Sequence, residues 1–263
     1  MRQTRTMTAE IAPDDQRPAW FVQSLERGLS VLQCFDDAHP ARTLTEVAGA
    51  VGVTRATARR LLLTLAELGF VRQDGRRFTL TPRVMNLGFT FLSGMDLPRL
   101  AEPHIETLAR QLGETTSVAI LDGFDIVYVA RVPSSRMLRV VITLGTRFPA
   151  HATSSGRVLL AALPESELER YFADAPIEAL TPRTLVDRDA LRAEIDRVRA
   201  AGWSEVVDEL DVGMRAAAVP LRNSNGTVVA ALNTSLHAKN YTDTDMVQTV
   251  IPAMHDTAAR IRT

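Results

Sequence analysis

Apolar residues recur between Leu44 and Leu80 at a spacing that changes twice, and the changes divide this stretch into two helices and a hairpin. Leu44, Val47, Ala48 and Val51 fall at i, i+3, i+4 and i+7, the pattern of one buried face on a helix over Thr45 to Val51. Gly52 is placed to turn the chain. Thr54 is placed to cap the next helix by accepting from the free amides of its first turn, and Leu61, Leu62, Leu65 and Leu68 carry an apolar stripe along it to a C-cap at Gly69. Phe70 and Val71 open a strand that turns at Asp74-Gly75 and returns through Arg77, Phe78, Thr79 and Leu80. Helix, turn, helix and short hairpin in that order predict a winged helix-turn-helix. Ahead of it, Val22 to Phe35 reads as an amphipathic helix with Leu25, Leu29, Leu32 and Phe35 on one side, and residues 1–19 as a disordered tail.

Beyond the wing the period changes again. Thr81-Pro82 opens a segment, Arg83 to Leu92, whose Val84, Leu87, Phe91 and Met85, Phe89, Leu92 cover too much circumference for a lone surface helix. It is expected to pack against a second copy of the chain or against its own neighbouring domains. The boundary falls near Gly94 to Pro98, so the organisation reads as tail 1–19, helix-turn-helix domain 20–81, linker helix 82–97 and a second domain 98–263. That domain reads as α+β with an antiparallel sheet. A helix runs over Leu100 to Leu112 with Pro103 near its first turn, and Val118 to Leu121 and Ile126 to Ala130 form a hairpin across Asp122-Gly123. Met137 to Leu144 is expected as a third strand. Helices are expected over Thr153 to Leu163, Glu165 to Phe172 and Asp187 to Ala201. Ala216 to Leu221 and Thr227 to Leu236 read as a second hairpin. A closing helix spans Thr242 to Arg262 with Val247, Val250, Met254, Ala258 and Ile261 inward, and Pro252 inside it predicts a kink or a late start.

Charge changes the picture in one place. From Arg55 to Arg83 there are seven arginines against Glu67 and Asp74, a balance of +5 in a chain whose net charge is −1. A basic island in a neutral protein is the footprint of a polyanion, and beside a helix-turn-helix it points to duplex DNA. The expected contact set is Ser24 and Arg27 at the start of the first helix, Thr54, Arg55, Thr57, Arg59 and Arg60 on the second helix of the motif, and Arg76 and Arg77 at the wing tip. Arg55 and Thr57 are placed to reach base edges, the other arginines to hold phosphates. A solvated helix face or a protein-docking module are the alternatives.

Composition excludes more than it assigns. With 46% hydrophobic and 23% charged residues over 263 positions, the chain has room for about two ordinary globular domains. A single cysteine, Cys34, rules out an intramolecular disulfide, and no apolar run reaches bilayer length, so a cytoplasmic location with no membrane contact is expected. Five histidines show no metal spacing, and there is no nucleotide loop or G-x-S-x-G elbow. Neither a metal nor a cofactor is expected. One enzyme reading stays open as the competing class, a hydrolase built on His151, Ser154, Ser155 and Asp208, since a serine nucleophile needs an adjacent base.

Two longer segments carry a resemblance. Gly145-Thr-Arg-Phe-Pro-Ala-His151-Ala-Thr-Ser-Ser-Gly156 and Asp208-Glu-Leu-Asp-Val-Gly213-Met-Arg-Ala-Ala-Ala-Val-Pro220, in this order of elements, resemble the IclR family of bacterial transcriptional regulators over about Phe21 to the C-terminus. Arg131-Val-Pro-Ser-Ser-Arg136 and the form of Pro149 to Arg157 further resemble the subgroup that controls β-ketoadipate-pathway genes for protocatechuate and 4-hydroxybenzoate breakdown. The resemblance implies a GAF-like effector domain for a small organic acid. It assigns Met137 and Val140 to the apolar side of the pocket, Ser154 and Ser155 to a helix end, and Asp208 or Glu209, Ala216, Asn233 and Ser235 to the remainder. A helix start with free amides suits a carboxylate, and Arg131, Arg136 and Arg139 are placed to add charge-assisted bonds. The bland role for the serines is helix capping. The expected partners are double-stranded operator DNA, an aromatic or β-ketoadipate-like acid, a second copy in a dimer or dimer of dimers, and RNA polymerase as a further candidate.

Overall fold

The structure, a computed structural model, describes residues 18–36, 38–134 and 142–261. All but the last two residues of the expected N-terminal tail, and Arg136, Met137, Arg139 and Val140, lie outside the described residues. The chain divides into two compact units, residues 1–91 and 92–263.

In the first unit α1 (Gln23–Gln33), α2 (Leu44–Val51) and α3 (Arg55–Glu67) enclose a small core of Val31, Val47, Leu62, Leu65, Val71 and Phe78. Its sheet has order β1-β3-β2, from β1 (Ala41–Thr43), β2 (Val71–Asp74) and β3 (Arg77–Leu80). The wing hairpin is the expected one, with Asp74 opposite Arg77 and Gly75 at φ 57° in the turn. β1 was not expected; it adds a third strand, with Arg42 opposite Phe78. The inward face of α1 also differs from the expected one. Val31 is buried, whereas Leu25 and Leu29 are exposed and Leu32 and Phe35 half-buried, because the packed face is set by where α3 lies rather than by the most leucine-rich stripe. The segment after the wing forms a 3-10 turn (Pro82–Val84) and α4 (Met85–Ser93), with Met85, Leu87 and Phe91 exposed.

The second unit is built on one six-stranded antiparallel sheet of order β6-β5-β4-β9-β8-β7. Its strands are β4 (Thr115–Asp122), β5 (Asp125–Val132), β6 (Arg147–Pro149), β7 (Ser204–Val207), β8 (Met214–Arg222) and β9 (Val228–His237). Both expected hairpins form. The strand expected at Met137 to Leu144 does not appear in its described part; β6 pairs with β5 instead, and β7 is a further edge strand. Helices cover both faces. On one, α6 (Ser154–Ala161), α7 (Glu165–Asp174) and α8 (Arg188–Ala201) pack Leu160, Leu168, Leu191 and Ile195 over Ala119, Ala216, Ala218 and Ala231. On the other, α5 (Asp96–Leu112) and α10 (Ile251–Arg260) pack Ile105, Leu108, Ile251 and Met254 over Val118, Ala217, Val219 and Leu232.

α5 starts four residues earlier than expected, so Pro103 lies mid-helix rather than in the first turn; Leu97, Ala101, Ile105 and Leu108 bury the stripe that holds the helix across it. The closing helix begins as α9 (Asp243–Asp245) under a Thr242 capping box, widens to a π turn over Met246–Val250, and resumes as α10 with Pro252 in its first turn. The wide turn accommodates the proline without breaking the helix. It also rotates the register, so that Met246 is buried and Val247, expected inward, is exposed.

Candidate functional site

The helix-turn-helix is set by local chemistry. Thr43 caps α2, its hydroxyl accepting from Glu46 N at 3.4 Å while Thr43 N donates to Glu46 Oε2 at 2.6 Å. Gly52 ends α2 at φ 71°, a left-handed conformation that costs a side chain about 1–2 kcal/mol. Thr54 then caps α3, accepting from Thr57 N at 3.2 Å. α3 closes with Phe70 N donating to Leu65 O and Gly69 N to Ala66 O, a Schellman motif in which Gly69 takes φ 79°.

This scaffold turns Ala58, Leu62 and Leu65 inward and leaves Arg55, Arg59 and Arg60 exposed, with no ion pair among the described residues. Thr57 is half-buried, and its hydroxyl lies 3.0 Å from that of Thr54. In the wing, Arg72 and Arg76 are exposed and unpaired among the described residues, whereas Arg77 donates to Ala41 O at 3.1 Å and so braces β1. Arg83 lies over the Phe70 ring at 5.6 Å. Ser24 is exposed in the first turn of α1 and Arg27 half-buried one turn on.

In the second unit the sheet register gathers polar side chains on the face beneath α6. Ser117 on β4 lies opposite Arg131 on β5 and opposite Asn233 on β9, and Asn233 lies opposite Ala218 on β8. Residues directly opposite share a face, so these form one row across four strands. The next row on that face holds Thr115, Ser235 and Ala216. Asn233 Nδ2 donates to Ser154 Oγ at 3.0 Å and to Ala217 O at 3.2 Å, and Ser235 Oγ donates to Asn233 Oδ1 at 3.2 Å. The register thus brings together Arg131, Ser154, Ala216, Asn233 and Ser235. It adds Ser117, which sequence reasoning missed because the strand was read as starting at Val118.

Thr153, not the serines, caps α6, its hydroxyl accepting from Gly156 N at 3.0 Å. Ser155 Oγ, Ser117 Oγ and Arg131 Nε are buried with no protein partner among the described residues. A buried hydroxyl left unpaired costs about 1–3 kcal/mol, so these are groups suited to a polar ligand.

Asp208 and Glu209 belong to a second network. Asp208 takes φ 62°, the one described non-glycine residue with positive φ, and its Oδ1 accepts from Gly213 N at 2.6 Å. Glu209 Oε2 accepts from Arg157 Nη2 at 2.6 Å and from Leu185 N at 2.9 Å. Arg157 is 2% exposed and also donates to His151 O at 3.0 Å. These bonds anchor α6 from behind. None of those of Asp208 or Glu209 reaches Ser154, Asn233 or Ser235.

The hydrolase alternative finds no geometry. His151 is buried and donates through Nε2 to Glu178 O at 3.0 Å, and among the described residues no hydrogen bond joins it to Ser154, Ser155 or Asp208. Burial holds its imidazole below the ordinary histidine pKa. Two surface hollows of about 190 and 500 Å³ lie elsewhere, at His104, Asp256 and Arg260 and at Tyr241, Asp245 and Thr249, and none of the expected effector residues lines them.

Comparison with known proteins decides the family. Residues 24–75 match the IclR helix-turn-helix domain, and residues 89–263 match the bacterial transcriptional regulator IclR C-terminal domain. The chain belongs to the IclR family. Among IclR relatives it is similar to the Pca regulon regulatory protein of Pseudomonas putida, 40% identical over 235 residues that cover 89% of this chain and 81% of that one. A solved candidate transcriptional regulator of Rhodococcus sp. RHA1 is 51% identical, with a TM-score of 0.82 over 92% of this chain and 97% of that one. The inducer-binding domain of the Acinetobacter transcription factor PobR, solved as a double mutant with 3-hydroxybenzoic acid, is 32% identical, with a TM-score of 0.59 over 64% of this chain and 98% of that one. Chains of this IclR type are DNA-binding transcriptional regulators and not enzymes, and among the described residues no helix is long and apolar enough to cross a membrane.

Proposed function

We propose that this IclR-family chain is a cytoplasmic regulator of genes for aromatic-acid breakdown, switched by an aromatic or β-ketoadipate-like acid bound beneath α6. The observation that carries this reading is the polar row of Arg131, Ser117 and Asn233 across the sheet, tied to α6 by the bond from Asn233 to Ser154, with unpartnered buried atoms on Ser117, Arg131 and Ser155. A carboxylate seated there would accept from Ser155 Oγ and Arg131 Nε, groups with no other described partner, and would face the positive end of the α6 dipole. Ala216, Asn233 and Ser235 complete the wall, Met137 and Val140 are assigned to its apolar side, and Asp208 and Glu209 support it through the loop network. The relatives point the same way: one is a Pca regulon regulator, and the inducer-binding domain of another is solved, as a double mutant, in complex with 3-hydroxybenzoic acid.

The DNA contacts are assigned to Ser24, Arg27, Thr54, Arg55, Thr57, Arg59, Arg60, Arg76 and Arg77. Two copies on a near-palindromic operator, as a dimer or dimer of dimers, would present two α3 helices to successive major grooves. An acid that prefers one arrangement of the paired chains then shifts their spacing by its differential affinity, and RNA polymerase is the partner that reads the result.

The test is a pair of titrations on Ser155→Leu. The leucine fills the start of α6 and removes a hydroxyl donor, so binding of protocatechuate, 4-hydroxybenzoate or β-ketoadipate, whichever the wild type takes, should weaken by at least tenfold while DNA affinity is kept. Full acid affinity in the mutant would place the pocket elsewhere.

A further inference from the structure

The first nine residues of α3 divide their work differently from the sequence reading, and the division assigns base-reading roles to Ala56, Arg60 and Leu63. The inference rests on the DNA-binding reading above. Ala56, Arg59, Arg60 and Leu63 stand at i, i+3, i+4 and i+7, and all four are exposed, Leu63 at 40%. At 3.6 residues per turn, Ala56, Arg60 and Leu63 fall within about 60° of one another. They lie roughly opposite the buried Ala58, Leu62 and Leu65. Arg55 and Thr57 sit about 100° to either side of Ala56, and Thr57 already spends its hydroxyl on Thr54 and its backbone amide on the same cap.

A helix seated in the major groove reads bases along the line farthest from its own core and touches phosphates with its flanks. On α3 that line is apolar, basic, apolar. Arginine is the side chain that pairs with both major-groove acceptors of guanine, and small apolar groups are those that meet the thymine methyl. From Ala56 to Leu63 the helix rises about 10 Å, close to three base-pair steps, so the line reaches across four successive pairs with the Arg60 contact inside them.

We propose that the recognition line of this protein is Ala56, Arg60 and Leu63, reading a G·C pair flanked on both sides by thymine methyl groups, with Arg55 and Arg59 held to the phosphates. Leu63, a large apolar side chain exposed on the outward face of an arginine-rich helix, is thereby a specificity residue.

The test uses the full-length protein. Its preferred duplex is selected from a random pool, and each thymine is then replaced singly by uracil, which removes the methyl and nothing else. Two replacements per half-site should weaken binding by about three- to fivefold each, the worth of one buried methyl. Leu63→Ala should abolish the response at one of them and Ala56→Gly at the other. Arg60→Ala should erase the preference at the intervening G·C pair, a loss on the order of tenfold or more, while Arg55→Ala lowers affinity for every duplex alike. Uracil without effect at any position in the wild-type complex, or relaxation by Arg55→Ala in place of Arg60→Ala, overturns the assignment and leaves DNA binding standing. A wild-type chain that selects no duplex overturns both.

Discussion

Replacing Gly156 by alanine sets local propensity against tertiary packing. Gly156 lies in the first turn of α6, where alanine is favoured over glycine by about 1 kcal/mol, so helix propensity alone predicts a stabilised protein. The structure predicts the opposite. A Cβ built on Gly156 would stand 2.1 Å from Ala150 O, 2.4 Å from Ala150 Cα and 2.5 Å from its carbonyl carbon. Ordinary contact needs more than 3 Å, and these neighbours are backbone atoms that cannot rotate away, so α6 and the 150–152 turn must part by about 1 Å. Overpacking of this kind costs about 1–3 kcal/mol and sometimes more, which in a unit of this size lowers Tm by about 2–4 °C per kcal/mol. Separation would also weaken the bond from Gly156 N to Thr153 and displace Ser154 and Ser155. The two tryptophans make the assay specific, since Trp20 lies in the first unit and Trp203 in the second. In a Trp20→Phe background, urea unfolding followed by Trp203 fluorescence reports the second unit. Gly156→Ala should move the midpoint down, with acid binding weakened in parallel. A midpoint equal to or above wild type would refute the packing argument and leave the propensity argument in possession.

Removing Arg157 should be among the costliest single changes, about 3–5 kcal/mol for Arg157→Leu, because Glu209 is left as a buried, half-satisfied charge; Arg157→Leu with Glu209→Leu should recover much of the loss in the same urea assay, and strict additivity would exclude the coupling. His151 is held below its ordinary pKa chiefly by burial, so its neutral form contributes stability that is present above about pH 6.5, its unfolded value, and is lost as pH falls below that value through the lowered folded one. The urea midpoint of the second unit should drop across that window and flatten in His151→Gln; parallel pH profiles would rule the histidine out. Thr54→Ala should cost the first unit about 1 kcal/mol through the lost cap on α3, measured by thermal unfolding. Arg76→Ala should reduce the slope of log affinity against log salt by about one while leaving sequence preference unchanged, and an unaltered slope would remove the wing tip from the phosphate contacts.

The features legible in the sequence are those whose cause lies within a few residues. Gly52, the Thr54 cap, the Asp74-Gly75 turn, the loop around Asn223 to Gly226 and the end of α8 at Gly202 each follow from local sterics or one short-range hydrogen bond, and each stands where its residues indicate. Helix period and arginine clustering then gave the winged helix-turn-helix without reference to anything distant. β1 and β7, three and four residues long, carry too few positions to show alternation, and only their partners β3 and β8 make them strands. Val31 replaces Leu25 and Leu29 as the inward side of α1 because burial is decided by the neighbouring helix, and Met246 replaces Val247 because a π turn advances the register before Pro252. The effector row is the furthest from legibility. Arg131, Ser117, Asn233 and Ser154 are spread over more than a hundred positions along the chain, and antiparallel pairing plus the seat of α6 brings them to one face. A sequence records which side chains alternate along each strand; which strands lie side by side, and at what register, is fixed only when the two apolar faces of the sheet are buried at once.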